Sequence, residues 1–453
     1  MVTPNGNSGL NTTLTYASSF AATSVTAPGT NSATVTYDAY GRPSQSQIPD
    51  GAVTTYTYTY NPPTQTATMN NKWRTTTLDG FGRTIQVDSG HDSVSLANTV
   101  SRVATLYAPC ACSPLLKVWA VTTPYNPNPN SGSPGWTTYT YDGSGRTIAV
   151  TLIATEGAST TTTSYAGNST TLTDPAGKWK TSTVDAFGNL TLVTEPNPAG
   201  GANWTTSYTY NVLSQLTQVT MPRPQGTQTR TFAYSGADMT SATNPENGTV
   251  TYTYDNAHHV ATRTDALGQQ TQYFYDVYGR VTQVSHGTMS GGTFIADPSQ
   301  WVDYGYDSSG RLGSVWFGRQ DNQGYNLPLA YSYAYSSAGR VTTQTMTWSM
   351  YNPINPGSPH AESMTETYGW DNEGKMTSMG AWNTYQYDNM GRLNGITANY
   401  NDGWGPWTLA SATYGPAVQL LSLTNTTPGL PSTTVNESFG YNALLSGCRF
   451  RSG

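Results

Sequence analysis

The sequence predicts an all-β fold, a long antiparallel β-sheet built from successive hairpins. Three observations predict it. Tyr and Thr alternate along many segments, as in Thr55-Tyr56-Thr57-Tyr58-Thr59-Tyr60, with the period of two that a strand imposes. Gly-bearing turns separate these segments at short intervals, the pattern of antiparallel pairing. Asp, Glu, Lys and Arg make up only 10% of the 453 residues, against about 25% in an ordinary soluble domain. Long charge-laced helices and coiled coils are excluded on that ground, and almost no helix is expected.

The first element is a turn that recurs. Its strict form is Tyr-Asp-x-x-Gly-Arg, carried by Tyr37, Asp38, Gly41 and Arg42 and again by Tyr141, Asp142, Gly145 and Arg146. It returns with Tyr275, Asp276, Gly279 and Arg280, with Tyr306, Asp307, Gly310 and Arg311, and with Tyr387, Asp388, Gly391 and Arg392. Looser copies begin at Leu78-Asp79, Val184-Asp185, Tyr335-Ser336 and Trp370-Asp371, and decayed ones at Tyr60-Asn61, Tyr210-Asn211, Tyr254-Asp255 and Tyr441-Asn442. Asp or Asn favours the start of a turn because its side chain accepts from the backbone two residues on. The Gly takes a positive φ without steric cost. The Arg opens the return strand, where its fork meets the Asp carboxylate or a neighbouring carbonyl.

A second turn precedes many copies at a fixed distance. Asp174-Pro175-Ala176-Gly177 lies 11 residues before Asp185, Asp265-Ala266-Leu267-Gly268 lies 11 before Asp276, and Asn244-Pro245 lies 11 before Asp255. The full unit is thus two turns and two strands. From Asp265 it reads turn, Gln270 to Tyr275, turn at Asp276 to Gly279, then Arg280 to Val284.

Spacing between copies is uneven, with 63 residues from Asp79 to Asp142 and 54 from Asp388 to Asn442. The excess is read as loop insertions near 124–135, 351–359 and 402–407, segments rich in Pro, Gly, Asn and Ser. No composition shift divides the chain, so residues 1–453 are read as one extended domain.

Charge and composition also bound the partners. With 20 basic and 26 acidic side chains, a net charge of −6 and no Lys/Arg cluster, a nucleic-acid role is excluded. No apolar run is long enough for a membrane-spanning helix. The start, Met1-Val2-Thr3-Pro4-Asn5-Gly6, has neither basic nor apolar region and reads as no signal peptide.

No chemistry-bearing constellation emerges, so no catalytic, cofactor or metal residue is assigned. Cys110, Cys112 and Cys448 are too few for a disulfide framework. Cys110 and Cys112 read as small residues in a loop before Pro114, able to lie side by side. Glu362 and Glu366, four apart, are read as facing each other only on a helix, and their segment is not expected to be helical. His258-His259 stands where other copies carry Gly-Arg and reads as a decayed turn. His91, His286 and His360 have no partner nearby in sequence, and no Gly-x-Ser-x-Gly elbow, Walker loop or His-Glu-x-x-His helix occurs. Trp204, Trp301, Trp316, Trp404 and Trp407 offer faces for stacking on sugars; the competing reading is that they pack across strands within the sheet.

The Tyr-Asp-x-x-Gly-Arg copies with their preceding Asp-Pro-x-Gly turns resemble the RHS repeat, also called the YD repeat, of bacterial rearrangement-hotspot and wall-associated proteins, toxin-complex components and teneurins. The copies run from Tyr37 to Tyr441 and span nearly the whole chain. The resemblance implies that the hairpin sheet spirals into an open or partial hollow shell. It implies a non-catalytic scaffold, like the shell that encloses or presents a toxin or effector polypeptide, secreted or at the cell surface. Cell-surface adhesion or glycan binding is the alternative, and a β-rich hydrolase the second. In longer members a C-terminal segment plugs the shell and cleaves the chain. No such segment is read here, and the last residues stop inside a repeat, so the chain is expected to be a fragment or a short paralogue. An open sheet exposes edge strands that invite association, so self-association is expected.

Overall fold

The computed structural model describes residues 8–128, 133–154, 157–318, 327–350, 360–399, 405–427, 433–441 and 447–452. They form 36 strands and one short 3₁₀ turn, Ser8–Leu10. From Thr13–Tyr16 to Gly447–Ser452, each strand pairs antiparallel with its neighbours in the chain. The sheet is thus one continuous meander, as the hairpin spacing predicts. Residues 351–359, 129–132 and 402–404, which fall in the predicted insertions, lie outside the described residues, as do Asn442 of the last decayed copy and Trp404.

Strand alternation dictates two edges. The turns after Tyr37, Tyr141, Tyr275, Tyr306 and Tyr387 all follow every second strand and so share one edge, here the motif edge. The turns at Asp174 to Gly177 and Asp265 to Gly268 lie on the opposite edge. So do the connections from Thr122 to Trp136, Met350 to His360 and Ala398 to Trp407.

The sheet is a single layer. Its accessible surface is 25838 Å², whereas a compact chain of this mass exposes about 17,000 Å². Among the described residues no large side chain is fully buried, and the buried apolar positions are scattered, such as Ala52, Trp73, Val250 and Val315. Along Val53–Tyr60 the rings of Tyr56 and Tyr58 are half-buried while Thr55, Thr57 and Thr59 are exposed. Cross-strand hydroxyl pairs tie the Thr rows together: Thr66 with Thr75 at 2.8 Å, Thr151 with Thr160 at 2.9 Å, Thr171 with Thr181 at 2.7 Å. Hydroxyl and ring pairs between strands, rather than a shared core, hold this wall together.

The sheet also curls back on itself. Turns near residues 29–72 touch turns near residues 309–391, with bonded partners 282 to 306 residues apart in the chain. One circuit of the spiral therefore takes about 300 residues. The first and second coils meet edge to edge, and the sheet does not close into a barrel.

Candidate functional site: motif turns and the seam between coils

The motif turn is built identically in its five strict copies. The Oδ1 of Asp38, Asp142, Asp276, Asp307 and Asp388 accepts backbone N–H groups two and four residues on, at 2.8–3.0 Å. Their Oδ2 accepts Nε–H of Arg42, Arg146, Arg280, Arg311 and Arg392 at 2.7–2.8 Å. The five glycines sit at φ of +75° to +81°, where a side chain is strained. With the pairing register skipping at the adjacent Tyr, this is a type I turn closed by a G1 bulge. The Arg42 side chain holds the Asp38 carboxyl below its usual range. At Asp276 burial pushes the other way, but the bonds from Arg280 prevail and its pKa is also lowered.

The motif Tyr completes a link to the preceding unit. The phenols of Tyr37, Tyr141, Tyr275, Tyr306 and Tyr387 donate to the carbonyls of Ala22, Val118, Val260, Val281 and Met376 at 2.7–2.9 Å. For Tyr306 that carbonyl follows Arg280, and the Arg280 guanidinium lies 4.1 Å from the Tyr306 ring centre. Arg42 over Tyr58, Arg146 over Tyr165 and Arg311 over Tyr335 repeat the stacking at 4.1, 4.2 and 4.4 Å. Each such Arg is thus clamped between its own Asp and a Tyr of the next strand. Sequence reading placed the Asp–Arg contact. It missed the Tyr link, whose only trace is the fixed Tyr immediately before Asp.

Decayed copies keep the backbone by other means. His258 takes the glycine position at φ 64°. His259 replaces Arg, with Nδ1 3.0 Å from Asp255 Oδ2 and its ring stacked on Tyr275 at 4.7 Å. The exposed His258 ring also meets Asp238 at 2.8 Å, which raises its pKa.

The seam joins motif-edge turns of the second coil to opposite-edge turns of the first. Arg340 forms a two-point pair with Asp50, both contacts at 3.0 Å, and the Asp50 side chain is only 5% exposed. The turn of Arg340 carries Ser336 where Asp is usual, which releases the guanidinium to cross the seam. Glu373 bonds Lys72 from the first coil, Lys375 at 2.8 Å and the Asn70 side chain at 2.8 Å. Burial pushes the Glu373 carboxyl up, but these cationic and amide donors outweigh it and bring it down to about 2. Backbone bonds from Ala52 N–H to Asn372 O at 2.9 Å and from Asn31 N–H to Ser337 O at 2.5 Å complete the joint. Gly29 is required here, because a Cβ on it would lie 2.3 Å from Ser309 Oγ.

The remaining sequence candidates do not converge. Glu362 and Glu366 do share a face without a helix, because residues four apart on the strand His360–Trp370 point the same way; Glu362 pairs with His360 at 2.8 Å, and a Cβ on Gly380 would lie 2.7 Å from Glu366 Oε2. His91 meets Asp92 at 2.7 Å and His286 meets the Thr271 hydroxyl at 3.0 Å. Among the described residues no group of three or more His, Cys, Asp or Glu is placed to hold a metal. Trp316 is about half exposed, Trp301 abuts Gly318, and Trp407 opens the strand Trp407–Tyr414. Trp204 lies 4.9 Å from the Arg223 guanidinium. With Trp179, Leu172, Lys180 and Glu195 it lines a cleft of the opposite edge. Cys110 and Cys112, read as two loop residues, are joined by a disulfide across the hairpin turn. Sequence counting misses it because a framework of bridges is sought over longer spacings.

A coiled, single-layer wall of Asp-Gly-Arg hairpins is a repeat fold, one antiparallel sheet that spirals without closing. Residues 257–288 match the family model described as RHS Repeat, and the other motif copies resemble that stretch. Among solved structures, the crystal structure of TcdB2-TccC3-Cdc42 is similar at 13% identity and TM-score 0.52, over 97% of this chain and 31% of that one. The crystal structure of TcdB2-TccC3-TEV is similar at 12% identity and TM-score 0.51, over 98% of this chain and 34% of that one. A Photorhabdus luminescens Tc holotoxin pore structure with a mutant TccC3 aligns at 12% identity over 98% of this chain and 33% of that chain, with TM-score 0.46. The chain therefore spans about a third of the length of the structures it matches. The curated proteins contain no match. Among the described residues no helix is long and apolar enough to cross a membrane.

Proposed function

We propose that the chain is a non-catalytic section of an RHS shell, a wall that encloses or presents a toxin or effector polypeptide in a secreted or surface-exposed protein. One observation carries this reading: the single-layer sheet returns on itself after about 300 residues and is locked there edge to edge by Asp50–Arg340 and Lys72–Glu373. A wall that invests its charged groups in closing a circuit serves containment, and its turn-bound Asp and Arg leave few charges for catalysis. The strict-motif Tyr, Asp, Gly and Arg residues act as structural rivets in this reading.

The test fuses a small reporter polypeptide after Gly453 and measures its digestion by trypsin. Protection in the native chain, lost in an Asp50→Lys, Glu373→Lys variant that still shows β circular dichroism, supports containment. Digestion at the rate of the free reporter overturns it.

A second reading, glycan binding, is favoured by one place, the cleft between Trp179 and Trp204 with Lys180 and Glu195 at its side. Indole faces beside charged hydrogen-bonding groups suit a sugar ring. A glycan array probed at millimolar ligand, with no hit lost in Trp179→Ala, removes this reading.

A further inference from the structure

The hairpin that joins the strands Thr99–Cys110 and Ser113–Thr122 holds the disulfide between Cys110 and Cys112, with Cα atoms 5.1 Å apart. The bridge spans one intervening residue, the exposed Ala111, and both cysteines are half-buried at the motif edge. A bridge across so short a loop removes little freedom from the unfolded chain, and the ladder already pairs Cys110 with Ser113. Stability is therefore a weak account of it. The surroundings point to chemistry. A Cβ built on Gly145 would lie 3.2 Å from Lys117 Nζ and 3.9 Å from Cys112 Sγ, so an ammonium and a sulfur flank the same small space. Lys117 donates to Gly145 O at 2.5 Å and sits 4.4 Å from the Tyr141 ring centre. No carboxylate pairs with it among the described residues. Asp142, on the adjoining turn, is committed to Arg146 at 2.7 Å. A cation with no carboxylate partner, close to a half-buried cysteine, is an environment that favours a thiolate.

We infer that Cys110–Cys112 is a thiol–disulfide exchange site whose co-reactant is a low-molecular-weight thiol. A thiolate attacks Cys110 Sγ; the new S–S bond forms as the Cys110–Cys112 bond breaks, and the electron pair leaves on Cys112 Sγ beside Lys117. A second thiolate attacks the outer sulfur of this mixed disulfide. The small disulfide departs and the electron pair ends on Cys110 Sγ. Two small thiols are oxidised to one disulfide, the protein disulfide is reduced, and the two thiol protons end on the cysteines. Lys117 touches no reacting atom in this scheme; it is a positioning residue that favours Cys112 as the leaving sulfur.

The experiment treats the oxidised full chain with graded glutathione, quenches with N-ethylmaleimide, and reads each cysteine by peptide mass spectrometry alongside circular dichroism. The expected result is reduction of the pair at millimolar glutathione with the β spectrum unchanged, and glutathione first on Cys110. Lys117→Met is expected to slow exchange on the order of fivefold while Lys117→Arg keeps the rate. Resistance of the pair to glutathione, glutathione first on Cys112, or equal rates in Lys117→Met and the native chain overturns the inference.

Discussion

At the scale of the residue, the motif is a three-part clamp. Asp fixes the turn through two backbone bonds and an Arg, Gly supplies the left-handed step, and Tyr fastens the next strand to the last one through a carbonyl. Tyr306→Phe removes the phenol bond to Val281 O and is expected to cost about 1 kcal/mol in denaturant unfolding. Asp276→Ala strips Arg280 and two backbone N–H groups of their acceptor, and about 2–3 kcal/mol is expected. An Asp276→Ala chain as stable as the native one would show that the turn needs only its Gly. His258 carries a side chain at φ 64°, so His258→Gly is expected to raise stability by about 1 kcal/mol. The Asp, Gly and Arg parts were legible in the sequence, because each follows from a local preference. The Tyr link was not, since its acceptor lies 11 residues or more away and belongs to whatever residue follows the earlier turn. Ser336 shows the same limit. It reads as a degraded Asp, while its consequence, an Arg freed to cross the seam, exists only once two coils meet.

At the scale of the element, the hairpin and its antiparallel pairing were legible from the period of two and the turn residues, and the strands follow them closely. Their joining into coils was not, because edge-to-edge contact leaves no periodicity in the chain. The pair of turns that meet at Glu373 yields a pH prediction. Its carboxyl is held at about 2 in the folded chain against an ordinary 4.5. A depressed folded pKa contributes stability that is fully present above the ordinary value and is lost as pH falls through the folded one. The seam is therefore expected to weaken progressively below about pH 4.5 and to lose this contribution near pH 2. Hydrogen exchange at the Ala52 amide, which bonds across the seam to Asn372 O, reads the joint directly. Glu373→Gln should speed that exchange at pH 7 and abolish its acid dependence over this interval; an unchanged profile would place the acid-sensitive group elsewhere.

At the scale of the whole molecule, two kinds of rim differ in chemistry. Three motif-edge turns that rest on the first coil carry small or polar tips, Ser308-Ser309, Ser337-Ala338 and Asn372-Glu373, and a fourth carries Asn389-Met390. Four motif-edge turns of the first coil present apolar tips to solvent: Phe20 at 89% exposure, Tyr40 at 78%, Phe81 at 74% and Phe187 at 87%. With a terminal strand such as Thr13–Tyr16 paired on one side only among the described residues, these tips favour association of chains. Light scattering after size exclusion is expected to show species heavier than the 48.6 kDa chain, and a Phe81→Ser, Phe187→Ser chain is expected to shift toward monomer. A native chain that elutes as a single monodisperse monomer contradicts this.

The circuit of about 300 residues acts like a vernier. Contacts within the sheet involve only adjacent strands, so a hairpin added or removed anywhere between Lys72 and Ser309 leaves every ladder intact. It nevertheless slides the second coil by one notch against the first. Asp50 then no longer faces Arg340, nor Lys72 Glu373, and unlike turns are brought opposite one another. A repeat array that tolerates copying everywhere locally is thereby made length-sensitive globally, and the ion pairs of the seam are where a miscounted repeat is felt.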